Sequence, residues 1–156
     1  MKRLIPRELG FEGRIQQGAT DPVNMCLNYL YGILYTEVWR AVAAAGLDPY
    51  FGVLHRSGRD QGSLVFDLIE ELRAPFVDRV ILGMIGRGYI PGVGMHGRLR
   101  TATRRRLAGA FFKRWQSPIP WRSKNTKPCR ILELQVRDIA GLFEGKKTYR
   151  PFKMKW

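Results

Sequence analysis

Three side chains within LDPYFGVLHRSGRDQGSLVFDLIEELR (residues 47–73) offer chemistry that the rest of the chain does not: His55, Asp67 and Glu70. His55 falls in a polar, Gly-rich connector with Pro49, Gly52, Gly58 and Gly62. Asp67 and Glu70 stand three residues apart in an apolar-periodic run, Leu64, Val65, Leu68, Ile69 and Leu72, so on a helix both leave from one face. Glu71, four after Asp67, can reach the same edge. Two carboxylates held close repel unless a cation or a proton lies between them. With an imidazole they form a mixed oxygen–nitrogen donor set for one divalent ion. Mg²⁺ prefers oxygen and keeps its waters, whereas Mn²⁺ also accepts an imidazole well. Such an ion polarises a phosphoryl oxygen and lowers the pKa of a bound water or sugar hydroxyl. The competing reading is a solvated acidic helix face, because charges at this spacing are commonly surface pairs. Against it stand the apolar neighbours Phe66, Leu68 and Ile69 and the charge of the second half of the chain.

That charge is unevenly placed. The 156 residues carry a net charge of +14. Residues 1–85 hold 9 Lys/Arg against 10 Asp/Glu, and residues 86–156 hold 18 against 3. The whole positive excess therefore lies C-terminal, which implies a polyanion, first nucleic acid and second an anionic membrane surface. Apolar residues make up 45%, normal for a chain with a real core. The two cysteines, Cys26 and Cys129, form no CxxC, and free thiols suit a reducing cytoplasm. The basic N-terminus has no apolar run after it, so it is not a signal peptide, and no stretch is apolar for long enough to span a bilayer.

The elements that must position the cluster are mostly helical. Asp21-Pro22 opens the clearest helix, with Asp21 as N-cap and Pro22 at the first helical position. Val23, Leu27, Leu30, Leu34 and Val38 give it a helical stripe, and Gly46 stops it after Ala45. Met25, Cys26, Tyr29, Ile33 and Trp39 widen the apolar surface, which predicts a central, mostly buried helix. Asn24 and Asn28 lie one turn apart on it, with Tyr31 next along. Buried amides need partners, so these bond a neighbouring loop backbone or fix the loop of His55, two compatible readings. Ser63 caps the helix that bears Asp67 and Glu70, and Ala74-Pro75 ends or kinks it before Phe76–Ile85 resumes the pattern.

Residues 86–97 contain five glycines and read as a loop or short hairpin, with His96 a solvated side chain in it. This is no phosphate cradle, since the strand–glycine–helix context and the Lys-Ser/Thr are missing. Arg98 to Gln116 reads as a strongly basic helix with Leu99, Leu107, Phe111 and Trp115 on its apolar side. Residues 117–126 read as a linker, residues 127–143 as the last helix with Gly145 as its stop, and KKTYRPFKMKW as a basic, aromatic tail. Residues 1–20, broken by Pro6, Gly10, Gly13 and Gly18, read as a lead-in with no packed element that could close a domain by itself. No stretch reads reliably as a strand. The expected architecture is all-α, about five helices forming one domain over residues 21–156.

Three blocks, DPVNMCLNYLYGILY, GLDPYFGVLH and SLVFDLIEELRAPFVDR, together with the closing run ILELQVRDIAGLFEGKKTYRPF, resemble the CRISPR-associated spacer-acquisition integrase, the first Cas endonuclease. Their order and spacing match from about Phe11 onward. The resemblance implies the α-helical catalytic domain of a metal-dependent DNA endonuclease and integrase. It implies Mn²⁺ or Mg²⁺ held by His55 and Glu70, with Asp67 as an accessory acid one turn earlier. It implies a homodimer bridged by a small ferredoxin-like partner, the second Cas protein; the expected location remains the cytoplasm that the free cysteines suit. The family's third ligand, a Glu on a helix upstream of FEGRIQQGATDPVN, and its N-terminal β-rich domain have no counterpart in this sequence. The chain therefore reads as a C-terminal piece whose metal site is incomplete.

The expected reaction is attack of a DNA 3′-hydroxyl on a target phosphodiester, with cleavage by water as side chemistry. Arg56 and Arg59 would grip phosphates near the site. Arg98, Arg100, Arg104 and Lys113 on the basic helix, and Lys146 and Lys147 in the tail, would hold duplex backbone. For each arginine the alternative is a solvated face. A non-catalytic helical fragment that binds DNA or dimerises is the second reading of the whole chain. A basic peripheral membrane protein is the third, disfavoured by the narrow apolar side of the Arg-rich helix.

Overall fold

The computed structural model describes residues 2–50 and 63–154. Among these it forms five α-helices: α1 (Pro22–Ala44), α2 (Ser63–Arg73), α3 (Arg79–Gly86), α4 (Thr101–Gln116) and α5 (Pro128–Phe143). The chain divides into two compact units. One comprises Met1–Ile33 and Ala74–Arg114, the other Leu34–Arg73 and Trp115–Trp156.

α1 is the long buried helix expected from its stripe. Val23, Leu27, Leu30, Leu34, Val38 and Val42 are all fully buried at spacings of three or four, one stripe along the helix. Its first turn is capped as the sequence predicts, with Asp21 Oδ1 accepting from the Asn24 amide at 2.8 Å. Its end is a Schellman turn. Gly46 takes φ +71°, its amide donates to Ala43 O at 3.0 Å, and the Leu47 amide donates to Val42 O at 3.2 Å. α5 ends the same way at Gly145, φ +68°.

In the first unit the lead-in is not a bystander. Short 3-10 turns at Lys2–Leu4 and Arg7–Leu9 bring Ile5, Leu9 and Phe11 into buried positions. Pro and Gly prevent a long helix here, and the short turns they leave still bury three apolar side chains. Ala74–Asp78 forms one π-helical turn leading into α3, so the chain widens around Pro75, whose ring cannot donate in the helical ladder. Basic helix α4 begins at Thr101, not Arg98. Before it, Leu99 is bridged to Val93 and the Arg100 amide donates to Gly92 O at 3.0 Å.

In the second unit the supposed linker is a β-hairpin. Ile119–Trp121 (β1) pairs antiparallel with Lys124–Thr126 (β2), Trp121 opposite Lys124. Arg122 and Ser123 form its two-residue turn at φ +45° and +65°, left-handed geometry that twists the strands correctly. Against the expectation of no strand, this hairpin is the correction. Among the described residues no helix is long and apolar enough to cross a membrane.

Candidate functional site

α2 presents its three acids to three different environments. Asp67 is buried, at 6% exposure, and is engaged in an interaction there. Glu70 is exposed, and its carboxylate pairs with Arg73 one turn along at 3.0 Å, with both side chains about half exposed. An exposed pair of this kind contributes about 0–1 kcal/mol, so Arg73 is no barrier to a competing cation. Glu71, which from spacing could have shared the edge of Asp67, is instead committed to the C-terminal tail. Its Oε1 accepts from the Tyr149 hydroxyl at 2.6 Å. Its Oε2 accepts from the Phe152 amide at 2.7 Å and from Gln135 Nε2 at 3.1 Å. Gln135 Nε2 also reaches Arg150 O at 3.2 Å, so one buried amide on α5 ties both α2 and the tail. Burial first, and the Glu71 carboxylate second, push the Tyr149 phenol well above its ordinary value.

His55, Arg56 and Arg59 lie outside the described residues. Among the described residues no three His, Cys, Asp or Glu side chains gather as a metal site. The donor that does fall on them, the exposed Glu70 carboxylate, is of the oxygen type that Mg²⁺ and Mn²⁺ take.

Asn24 and Asn28 bond a loop, and the loop they hold is 13–16. Asn24 Nδ2 donates to Gly13 O at 2.7 Å, and its Oδ1 accepts from the Ile15 amide at 2.9 Å. Asn28 Nδ2 donates to Gln16 O at 2.9 Å. Arg14 reaches both amide oxygens, at 3.1 and 2.5 Å, and its guanidinium lies over the Tyr31 ring. The Tyr31 hydroxyl donates to Asp78 at 2.5 Å. In the first unit these three residues therefore fasten the chain that precedes α1 and the start of α3.

Of the cationic side chains, Arg98, Arg100, Arg104 and Lys113 are all exposed on or just before α4. In the tail, Lys146 pairs with Glu144 at 2.9 Å and Lys147 with Asp138 at 3.2 Å. The second unit adds a basic cavity of about 850 Å³ that the sequence reading missed, walled by Trp121, Arg122, Lys146, Lys147, Arg150 and Lys153. The Arg122 guanidinium lies over the Trp121 ring, 4.3 Å from its centroid, and donates to Asp138 at 2.8 Å. Burial would raise the Asp138 carboxyl, but the bonds from Arg122 and Lys147 outweigh it and hold the group below its ordinary range. The signal was present as a Trp-Arg pair between two prolines and a basic tail. Nothing local indicated that they would face each other.

Comparison with known proteins agrees with this architecture. Residues 1–113 match the family model described as CRISPR associated protein Cas1. A CRISPR-associated endonuclease Cas1 of Archaeoglobus fulgidus is 37% identical over 164 residues, covering 98% of this chain and 48% of the relative. Among solved structures, a casposase bound to integration product superposes with a TM-score of 0.86 at 26% identity, over 96% of this chain and 45% of that one. A chain of a Cas6-RT-Cas1–Cas2 complex matches at 0.76 with 24% identity, over 93% of this chain and 16% of that one, a likeness of fold. This chain belongs to the Cas1 family and corresponds to its C-terminal helical region. It spans about half the length of the curated relatives it matches.

Proposed function

We propose that this chain is the helical, metal-binding region of a DNA integrase and endonuclease of CRISPR spacer acquisition. The observation that carries the reading is the presentation of Glu70. Asp67 beneath it is buried, Glu71 beside it is clasped by the tail, and Glu70 alone of the three projects into solvent, at the position where the family resemblance places a metal ligand. Family membership and the likeness to a casposase bound to integration product support it.

In this reading His55 and Glu70 hold Mn²⁺ or Mg²⁺, and Asp67 supports them from the buried side of α2. When bound, the cation polarises a phosphoryl oxygen and lowers the pKa of the attacking hydroxyl or water. The chain's own part is to position the DNA. Arg56 and Arg59 grip phosphates beside the reacting bond. Exposed Arg98, Arg100, Arg104 and Lys113 hold duplex backbone, and such contacts give salt-sensitive affinity with little sequence preference. Lys146 exchanges its exposed pair with Glu144 for a phosphate at small cost, about 0–1 kcal/mol, and Lys147, half-exposed beside the largely covered Asp138, adds its charge to the same face. A 3′-hydroxyl oxygen then bonds to the target phosphorus as the 3′-oxygen of the cut strand leaves. Water in place of the hydroxyl gives cleavage. The partners are DNA, a second copy of this protein, and the ferredoxin-like second Cas protein. A matching fold occurs in a complex described as containing Cas2.

The test is Mn²⁺- or Mg²⁺-dependent nicking and strand transfer on a branched duplex. Activity that chelator and Glu70→Gln abolish supports the reading. Binding of the same DNA with no metal-dependent cleavage supports the second reading, a non-catalytic DNA-binding or dimerising fragment. The observation favouring that alternative is the run of exposed cations Arg98, Arg100, Arg104 and Lys113, which hold duplex backbone without a metal.

A further inference from the structure

Within the first unit the segment between α3 and α4 forms a braced finger. Val93 and Leu99 bridge as its two arms. The Gly94 amide donates to Arg98 O at 2.8 Å, and the Gly97 amide donates back to Gly94 O at 3.1 Å. Gly97 takes φ +63°, which closes the turn. The base is pinned to α4. Buried Thr103 uses one hydroxyl oxygen to accept from the Gly92 amide and donate to Gly92 O, both at 3.1 Å. Arg100 Nε adds a bond to Val93 O at 3.2 Å.

At the tip stands Met95, 97% exposed. A fixed loop that holds a flexible apolar side chain wholly in water asks for a partner. The surroundings say which kind. Arg98 and Arg100 are exposed on the finger, exposed Arg104 lines the same groove as Gly97 and Leu99, and the sequence has no Asp or Glu between Asp78 and Glu133. An apolar tip in an entirely cationic setting matches nucleic acid, where Met and similar side chains enter base steps and unstack them while cations hold the phosphates. Beside the finger, in the same unit, lies an open groove of about 490 Å³ lined by Asn28, Tyr29, Gly97, Arg98, Leu99 and Arg104. Its Tyr29 ring is a surface on which a base can stack.

We propose that residues 92–100 are a DNA wedge: Met95 inserts at a base step, Arg98 and Arg100 hold the flanking phosphates, and the displaced base lies in the groove against Tyr29. This rests on the DNA-acting reading above and adds to it a site that distorts the duplex. It places the action at a junction or a weak step, where unstacking costs least.

The experiment uses the full chain and a short duplex with a 3′ single-stranded extension, 2-aminopurine replacing the base at the junction. Binding is followed by anisotropy and unstacking by 2-aminopurine fluorescence. The wild-type chain is expected to brighten the probe on binding. Met95→Ala is expected to lose about half or more of that brightening while its affinity stays within about twofold, and Met95→Leu to retain it. Arg104→Gln is expected to weaken binding and lower the salt slope by about one. Circular dichroism confirms the fold of each variant. Binding without brightening, or equal brightening by Met95→Ala, overturns the wedge and leaves the DNA-binding reading standing. No binding by the wild-type chain overturns both. Loss of self-association in Met95→Ala with no change in the DNA signals makes the finger a protein contact and also overturns the proposal.

Discussion

Removing one hydroxyl tests what keeps the acidic helix α2 in place. Tyr149→Phe keeps the ring and deletes the 2.6 Å bond to Glu71, leaving the carboxylate with the Phe152 amide and Gln135. A hydrogen bond to a charged group contributes about 1.5–3 kcal/mol. Glu71 is half-buried, so the lower end applies, about 1.5 kcal/mol, or a fall of about 3–6 °C in Tm for a chain of this length. The bond also makes stability depend on pH. In the folded chain the Tyr149 proton is held above the ordinary tyrosine value of 10.0. Above that pH the unfolded chain binds fewer protons than the folded one, so stability is full below pH 10 and declines as pH rises beyond it. Tyr149→Phe removes this share of the decline. The assay is thermal unfolding by circular dichroism at pH 7, with urea unfolding at pH 7 and pH 11 and limited tryptic digestion. Cleavage at Lys146, Lys147 and Lys153 should accelerate in the variant. A Tm shift under about 1 °C with an unchanged digestion pattern would refute the clasp, because a bond of this class cannot vanish at so little cost.

Other outcomes follow from the same geometry. Asn24→Ala strips partners from the Ile15 amide and Gly13 carbonyl at a fully buried position and should cost about 1–3 kcal/mol, read as a lower urea midpoint. Cys26 is fully buried, and burial pushes its thiol up to about 12, so at pH 8 iodoacetamide should modify half-buried Cys129 first and Cys26 only in denaturant; equal labelling of the native chain would contradict this. Asp138→Asn frees Arg122 and Lys147 in the basic cavity and should tighten DNA binding at low salt, with a steeper salt dependence by up to about two, measured by anisotropy across a salt series.

The helices were legible because their ends are written locally. Asp21-Pro22 begins α1 by satisfying or lacking the orphan donors, and Gly46 and Gly145 end helices because left-handed backbone suits glycine. The hairpin at residues 119–126 was not legible, because its turn places Arg122 and Ser123 in left-handed geometry without the Asn-Gly or Asp-Gly that normally signals one. The lead-in hid its contribution to the core because Ile5, Leu9 and Phe11 follow neither the helical nor the strand period. At the site, spacing placed Asp67 and Glu70 on one helix but could not separate their burial, which depends on what packs against α2. The role of Glu71 was beyond any local pattern, since its partners Tyr149 and Phe152 lie 78 and 81 residues away. Asn24 and Asn28 were legible as amides in need of partners, and the structure supplies those partners from residues 13–16.

The central claim is that Glu70, with His55, takes a divalent ion. Titration of the metal-free chain with Mn²⁺, followed by loss of the free-ion electron paramagnetic resonance signal, measures this without requiring turnover. The account predicts saturable binding at one site per chain, lost in Glu70→Gln and in His55→Ala, and retained in Glu133→Gln, an exposed acid on α5. Binding that all three variants reduce equally, or that Glu70→Gln leaves unchanged, would contradict it.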